Sequence, residues 1–333
     1  MQNLEHLAHS VLKQYFISQP RLTFIRHNEN YTCKITDGST SEEYVMRMHV
    51  PVEGFSQITT QHSHSNLYSE LKFIKAIGEN TNISVQIPVR NKMGLYISEI
   101  IDPYSKKTIY TTILTWVNGE TMSHENPNWE QQAYQTGILT AKLHNFSSNW
   151  AEGRLLDRQR YDASKLISAI KSIEEAVDLD LMDSYHYKII QNGGVKICEL
   201  MEELDKMSFN SKGLVHADLQ RTNLIVHENT VTPIDFCLCG YGYFYMDLGG
   251  LLADFSFLSA RKALLEGYRS IRELPVSDMK YIEAFFVMVI LLCMATHLHN
   301  PNMKEWYLRR TKPICNDYII PFINNKRFYE NIL

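Results

Sequence analysis

Between residues 21 and 49 three short apolar–polar alternations, RLTFIRH, YTCKITD and EYVMRMH, are separated by the polar turns HNEN and DGSTSE. Tyr31, Ile35, Tyr44, Val45 and the Met residues fit half-buried antiparallel strands joined by hairpins. Residues 66–78, NLYSELKFIKAIG, change period: Leu67, Leu71, Ile74 and Ile77 fall on one face of a helix. GLYISEI at 94–100 and IYTTILTWV at 109–117 add two strands. After Asn118-Gly119 the spacing turns helical, over 129–146 and in stretches near 161–176, 184–208 and 280–298. The strand candidates in this half are the two apolar ends of LVHADLQRTNLIV (214–226) and IDF (234–236). The pattern therefore predicts an α+β chain of two parts, 1–117 rich in strands and 118–333 mainly helical, meeting at a short turn rather than a linker.

Composition narrows the class. The 333 residues are 44% hydrophobic, enough for a proper core, and the formal net charge of −4 provides no broad basic field, so nucleic acid is not an expected partner. Six scattered cysteines without a CxxC pair suggest reduced thiols rather than a disulfide scaffold or a zinc knuckle. The opening MQNLEHLAHSVLKQYF does not read as a signal peptide. The apolar run AFFVMVILLCMA (284–295) is shorter than the about 20 residues of a membrane span and predicts a core helix. A cytoplasmic protein with no membrane partner is expected.

The chemistry concentrates where polar residues interrupt the 214–226 stretch. His216, Asp218 and Asn223 match the H-x-D-x-x-x-x-N spacing of the catalytic loop of phosphoryl-transferring kinases. An aspartate there accepts or orients the proton of an attacking hydroxyl, and an asparagine a few residues on lends a neutral oxygen to Mg2+ beside the phosphates. Asp235, twelve residues after Asn223 in Ile-Asp-Phe, stands where the second metal-binding carboxylate is expected. His216 reads as a backbone brace rather than a reacting group, and Asp247 in YMDLGG as the cap of a helix starting at Leu248.

The β-rich part then falls to the nucleotide. Asn28, Glu29 and Asn30 sit at a hairpin tip where backbone N–H groups can approach phosphates. Arg47 is a lone cation among apolar residues, and Glu70 lies on the following helix; together they suggest the ion pair with which kinases grip the α- and β-phosphates.

With HNENYTCKI, YVMRMH, SELKFI, LTWVNGE, TAKLHNFSSNW, VHADLQRTNLIV and IDFCLCGYGYFYMDLGGLL in this order, the chain resembles the aminoglycoside phosphotransferase and choline kinase-like family. The resemblance implies a two-lobed protein-kinase-like fold, with a small antiparallel-sheet lobe over 1–117 and a mainly helical lobe over 118–333. It implies ATP in the cleft with Leu114, Trp116 and Val117 near the hinge, and γ-phosphate transfer to a hydroxyl of a small metabolite or aminoglycoside-like acceptor. By position Asp218 is the implied base, Asn223 and Asp235 the Mg2+ ligands, Asn28 and Asn30 nucleotide contacts, and Arg47, paired with Glu70, the phosphate cation in place of the usual Lys. Cys237 and Leu238 replace the acids that many relatives carry after the Asp-Phe pair. Residues 150–210, with Glu174, Glu175, Asp178, Asp180 and Asp183, are the expected substrate wall, although a charge run is also how a solvated helix face reads. A bacterial Ser/Thr protein kinase of the stress-response type and a non-catalytic nucleotide-binding module are the alternatives; the absence of A-P-E after IDF separates the chain from the eukaryotic-like type.

Overall fold

In the computed structural model, residues 2–52, 61–207 and 211–328 are described. The chain forms two compact units, Met1–Asn118 with Leu156–Arg158, and Gly119–Leu155 with Gln159–Leu333.

The first unit is an antiparallel sheet with two helices. Helix α1 (Gln2–Leu12) precedes strands β1 (Arg21–His27), β2 (Tyr31–Thr36) and β3 (Glu43–Met48). Helix α2 (His64–Asn80) leads to β4 (Ile97–Ile101) and β5 (Thr108–Thr115), and the sheet order is β1-β2-β3-β5-β4. Every neighbour pair is antiparallel. Leu7, Ala8, Val11, Leu12 and Tyr15 recur at three- and four-residue intervals and are buried against Cys33, Ile35, Met46, Met48 and Ile113. In α2 the four predicted apolar positions are buried, the Ser63 hydroxyl caps the first turn at Asn66 N–H, and Glu70 is buried too.

The second unit begins with the short strand β6 (Glu120–Thr121) and the helices α3 (Trp129–Asn149), α4 (Ala163–Ile173), α5 (Glu175–Asp178) and α6 (Ser184–Lys206). Four strands follow: β7 (Lys212–Val215), β8 (Leu224–His227), β9 (Thr230–Pro233) and β10 (Gly240–Tyr243). They form two small sheets, β10-β7 and β6-β8-β9. Helices α7 (Tyr245–Asp254), α8 (Leu258–Arg269), α9 (Met279–His297) and α10 (Lys304–Ile314) complete the packing. Helices α3 and α8 touch backbone to backbone, because a Cβ on Gly137 would lie 2.0 Å from Leu264 O and one on Gly267 2.0 Å from Tyr134 O.

The segment Val276–His297 is long and apolar enough to cross a membrane by length and composition, yet 67% of its most apolar stretch is buried inside the protein. It serves as the central core helix, as AFFVMVILLCMA predicted. Two other expectations need correction. Ile-Asp-Phe is not a strand: β9 ends at Pro233, Asp235 takes a left-handed conformation (φ 64°), and 236–238 form a helical turn. Asp247 does not cap a helix, since α7 starts at Tyr245 and places Asp247 within its first turn.

Candidate functional site

The catalytic-loop candidates all lie in the second unit, on connections between its two small sheets. Strand β7 delivers His216, and β8 starts directly after Asn223. The Asn223 Nδ2 donates to Asp218 Oδ2 at 2.7 Å and to Asp218 O at 3.0 Å, which leaves its Oδ1 as the amide oxygen available to a cation. Gln220 Nε2 donates to Asp218 Oδ1 at 3.1 Å. Each Asp218 carboxylate oxygen thus accepts from a neighbouring side-chain amide. Asp235 is brought to the same place by its neighbour: Ile234 N–H donates to Asn223 O at 2.9 Å, within the β8–β9 hairpin. Asp218 and Asn223 are in direct contact, and the Ile234 bond sets Asp235 one residue beyond a backbone link to Asn223. The Asn223 amide oxygen and the Asp235 carboxylate are hard oxygen donors of the kind that suits a divalent cation of the magnesium or calcium type.

His216 holds the two loops together. Its Nδ1 accepts from Asp218 N–H (3.3 Å), so Nε2 carries the proton and donates to Ile234 O (3.1 Å), while the ring lies 4.4 Å from that of Phe236. These two ring contacts are with backbone, consistent with a brace.

Asp247 organises the loop from beneath. Its Oδ2 accepts from His216 N–H (3.0 Å) and His144 Nε2 (3.1 Å), and its Oδ1 from Ala217 N–H (2.7 Å). These bonds fix Ala217 in a left-handed conformation (φ 66°), an arrangement that residues with a Cβ seldom adopt. Burial alone would raise the Asp247 carboxyl, but the hydrogen bonds from His144 and from the Ala217 N–H hold it below the ordinary carboxylate range. Burial pushes His144 down. The pair is a carboxylate with a neutral imidazole, whose Nδ1 accepts from Tyr268 OH at 2.9 Å. Sequence spacing could not reveal this role, because Asp247 is 31 residues from His216 and 103 from His144.

Arg221, in the same loop, forks onto Asp254 through Nε (3.0 Å) and NH2 (3.2 Å) and donates from NH1 to His124 Nδ1 at 2.6 Å. Beside Asp218 a cavity of about 350 Å³ is walled by Leu219, Met246, Val289, Ile290 and Trp306. It takes no lining residue from 150–210, where the substrate wall was expected. The acids of that stretch are exposed, and Asp183 caps α6 by accepting from His186 N–H.

In the first unit, Arg47 NH2 donates to Glu70 Oε1 at 2.6 Å, with both side chains buried. Asn28 is exposed at the β1–β2 tip, whereas Asn30 turns inward: its Oδ1 accepts from His49 Nδ1 (2.7 Å), and His49 Nε2 accepts from Thr112 Oγ1 (3.1 Å). The Asn30 side-chain oxygen is therefore engaged within the protein. Leu114 is buried in β5 opposite Val45; Trp116 and Val117 follow the strand end, half-buried, with Trp116 N–H bonded to Glu43 O and Lys34 Nζ 4.6 Å above the Trp116 ring.

Burial and the nearby Arg47 push His49 well below the usual histidine range and His62 down to about 4. With His144, three histidines are neutral in the folded protein but titrate near the ordinary 6.5 when unfolded. Below that pH the unfolded chain binds more protons, so stability is full above about pH 6.5 and falls as the pH drops towards 4. Thermal unfolding is expected at a lower temperature at pH 5 than at pH 7.5, and His49→Gln with His62→Gln should reduce the difference.

Comparison with known proteins places this geometry. Residues 21–277 match the model of the phosphotransferase enzyme family. The chain is 22% identical over 253 residues, 74% of its length, to 67% of the amicoumacin kinase of Bacillus subtilis (strain 168). Among solved structures, a microcompartment-associated aminopropanol kinase is similar with a TM-score of 0.78 at 21% identity, covering 97% of this chain and 99% of that one. An amicoumacin kinase in complex with AMP-PNP, Ca2+ and Ami is similar with a TM-score of 0.73 at 18% identity, covering 97% and 94%. The fold is that of the protein-kinase-like phosphotransferases, and the chain belongs to the phosphotransferase enzyme family, whose members move phosphate onto hydroxyl groups of small molecules.

Proposed function

We propose that the protein transfers the γ-phosphate of ATP, with Mg2+ as its cation, to a hydroxyl of a small molecule, and that it works in the cytoplasm, where its six unbridged cysteines are at home. The observation that carries the reading is the 2.7 Å bond from Asn223 to Asp218, because it joins the proposed base to a proposed cation ligand. In this reading Asp218 accepts the proton of the acceptor hydroxyl as the phosphate bond forms. Asn223 Oδ1 and the Asp235 carboxylate hold the cation, which when bound neutralises charge on the phosphates. Arg47, steadied by Glu70, grips phosphate oxygens, and the backbone around Asn28 and Asn30 and the Leu114–Val117 segment contribute to nucleotide binding.

The mainly apolar walls beside Asp218 suit an acceptor with an apolar portion next to its hydroxyl. The relatives named for amicoumacin and aminopropanol support a small-molecule acceptor. Incubating the protein with ATP, Mg2+ and a panel of small alcohols should release ADP with a stoichiometric phosphorylated product. Turnover with none of them and no slow ATP hydrolysis would count against the reading.

Replacing Arg47 separates its two duties. Arg47→Met leaves Glu70 buried without its cation and should lower thermal stability. The double variant Arg47→Met with Glu70→Met should recover that stability, since a buried pair replaced by apolar residues is often neutral. Both proteins should show a KM for ATP raised about tenfold, equivalent to about 1.4 kcal/mol of phosphate contact. An unchanged KM in the refolded double variant would make the pair purely structural.

A further inference from the structure

Asp218 lies in a loop that one helix holds on both sides. Before it, Asp247 accepts the N–H groups of His216 and Ala217. After it, Asp254 Oδ2 accepts the N–H of Arg221 at 2.7 Å. The two carboxylates are seven residues apart on α7, almost two whole turns, so they share one face of the helix and lie about 10.5 Å apart along its axis. Gly250 falls between them on that face, and a Cβ there would lie 3.8 Å from Leu219 O, so the loop passes over it. Leu219 and Gln220 of the loop and Gly250 and Asp254 of the helix all line the cavity beside Asp218.

The second tether is more than a backbone bond. Arg221 turns its side chain onto the carboxylate that already holds its own N–H: Nε donates to Oδ2 at 3.0 Å and NH2 to Oδ1 at 3.2 Å. A planar guanidinium meeting a carboxylate in this two-pronged way fixes angle as well as distance. The third nitrogen, NH1, donates to His124 Nδ1 at 2.6 Å. A cation close to a catalytic aspartate is otherwise a candidate for direct contact with phosphate. Here each guanidinium nitrogen is already engaged within the protein, and the side chains of the fork are only 26% and 23% exposed.

We propose that Arg221 and Asp254 are positioning residues for phosphate transfer, an inference that rests on the reading of Asp218 as the base. Asp247 and Asp254 hold the loop at two points, and the Arg221 fork keeps the second from turning. The Asp218 carboxylate and the Leu219–Gln220 side of the cavity then keep one arrangement. Because rate depends steeply on where a base stands relative to the acceptor hydroxyl, loosening the fork lowers turnover and weakens the acceptor while sparing the nucleotide.

Arg221→Met removes the fork and leaves the backbone bond, whereas Arg221→Lys keeps the charge with at most one prong. Amide hydrogen exchange of the full chain, read on peptides covering 216–223, should be at least tenfold faster in Arg221→Met than in the parent, with Arg221→Lys in between and α9 unchanged. With the small alcohol that the parent phosphorylates fastest, kcat should fall at least tenfold in Arg221→Met, the acceptor KM should rise and the KM for ATP should be little altered. Arg221→Lys should regain part of kcat. Circular dichroism shows whether each variant is folded, and Asp254→Asn, which keeps a single acceptor oxygen, takes the place of Arg221→Met should that variant misfold. Unchanged exchange and kcat in a folded Arg221→Met protein, or a raised KM for ATP that makes the guanidinium a phosphate contact, overturns the proposal. Asp218→Asn with the parent's kcat would instead strike the base assignment, a distinct result because exchange over 216–223 reads the tether with no acceptor present.

Discussion

Asp218→Asn is expected to lower kcat by about 10²–10⁴-fold, the usual contribution of a positioned base, while leaving nucleotide affinity close to that of the parent. The substitution is nearly isosteric, so what changes is proton acceptance. The carboxylate receives Gln220 Nε2 and Asn223 Nδ2 on its two oxygens. An asparagine can keep only one of those bonds as acceptor and turns an N–H2 towards the other donor. Asn223 would then be freed to rotate, and some of the loss would come from a displaced cation ligand rather than from the missing base. Measuring kcat against pH separates the two: a missing base removes the acidic limb of the profile, whereas a displaced ligand raises the Mg2+ concentration needed for half-maximal rate. A variant with the parent's kcat would exclude Asp218 as the base.

The second large effect is expected at Asp247, a residue that touches no substrate in this account. Asp247→Ala removes the acceptor of two backbone N–H groups and of the His144 ring, all in the protein interior. Each stranded donor costs about 1–3 kcal/mol, so a loss of at least about 3 kcal/mol is expected in urea unfolding. Ala217 would also lose the contact that sustains its φ of 66° and relax towards an ordinary conformation, carrying Asp218 with it. A displacement of about 1 Å at a catalytic group can cost about 10²-fold in rate. Asp247→Asn makes the finer test. Its single carbonyl oxygen can replace Oδ2, but its N–H2 then faces the Ala217 N–H, donor to donor. It should remain folded with kcat reduced about 10²-fold and KM for ATP little altered. Full activity in a folded Asp247→Asn protein would show that the loop holds its shape without that carboxylate.

How far these elements were legible in the sequence depends on what kind of information each one needs. Helix α2 follows from periodicity, with Leu67, Leu71, Ile74 and Ile77 buried on one face, and strands β2, β3 and β5 follow from short β-rich runs bounded by polar turns, although each is buried on both faces over part of its length. The contact of Asp218 with Asn223 was legible because one short connection carries both, and Asp235 follows within 18 residues of Asp218 on a second one. The Arg47–Glu70 pair was suggested by a cation stranded among apolar residues, and the two side chains do meet.

What the sequence withheld depends on long-range packing. Ile-Asp-Phe resembled a strand because Ile and Phe favour one; but Ile234 N–H and O are bonded to Asn223 and His216, and Asp235 turns the chain aside. Asp247 looked like a cap because aspartate precedes an apolar run, and nothing local shows that α7 begins two residues earlier so that the carboxylate faces β7. Asn30 stands at a tip where backbone N–H groups can approach phosphates, and its side chain has a partner that spacing does not reveal, His49, 19 residues away at the neighbouring strand's end. The cavity beside Asp218 was not legible either: it is lined by the catalytic loop, by Met246, Asp247 and Asp254 of α7, by Val289 and Ile290 of α9 and by Trp306 of α10, elements far apart in sequence.

A crystal structure with AMP-PNP and Mg2+ bears most directly on the claim that one carboxylate and a neighbouring pair of cation ligands act together on a terminal phosphate. The account predicts a cation about 2.0–2.1 Å from both Asn223 Oδ1 and an Asp235 carboxylate oxygen, with the γ-phosphate facing Asp218. A nucleotide whose cation touches neither residue, or whose terminal phosphate points away from Asp218, would contradict it.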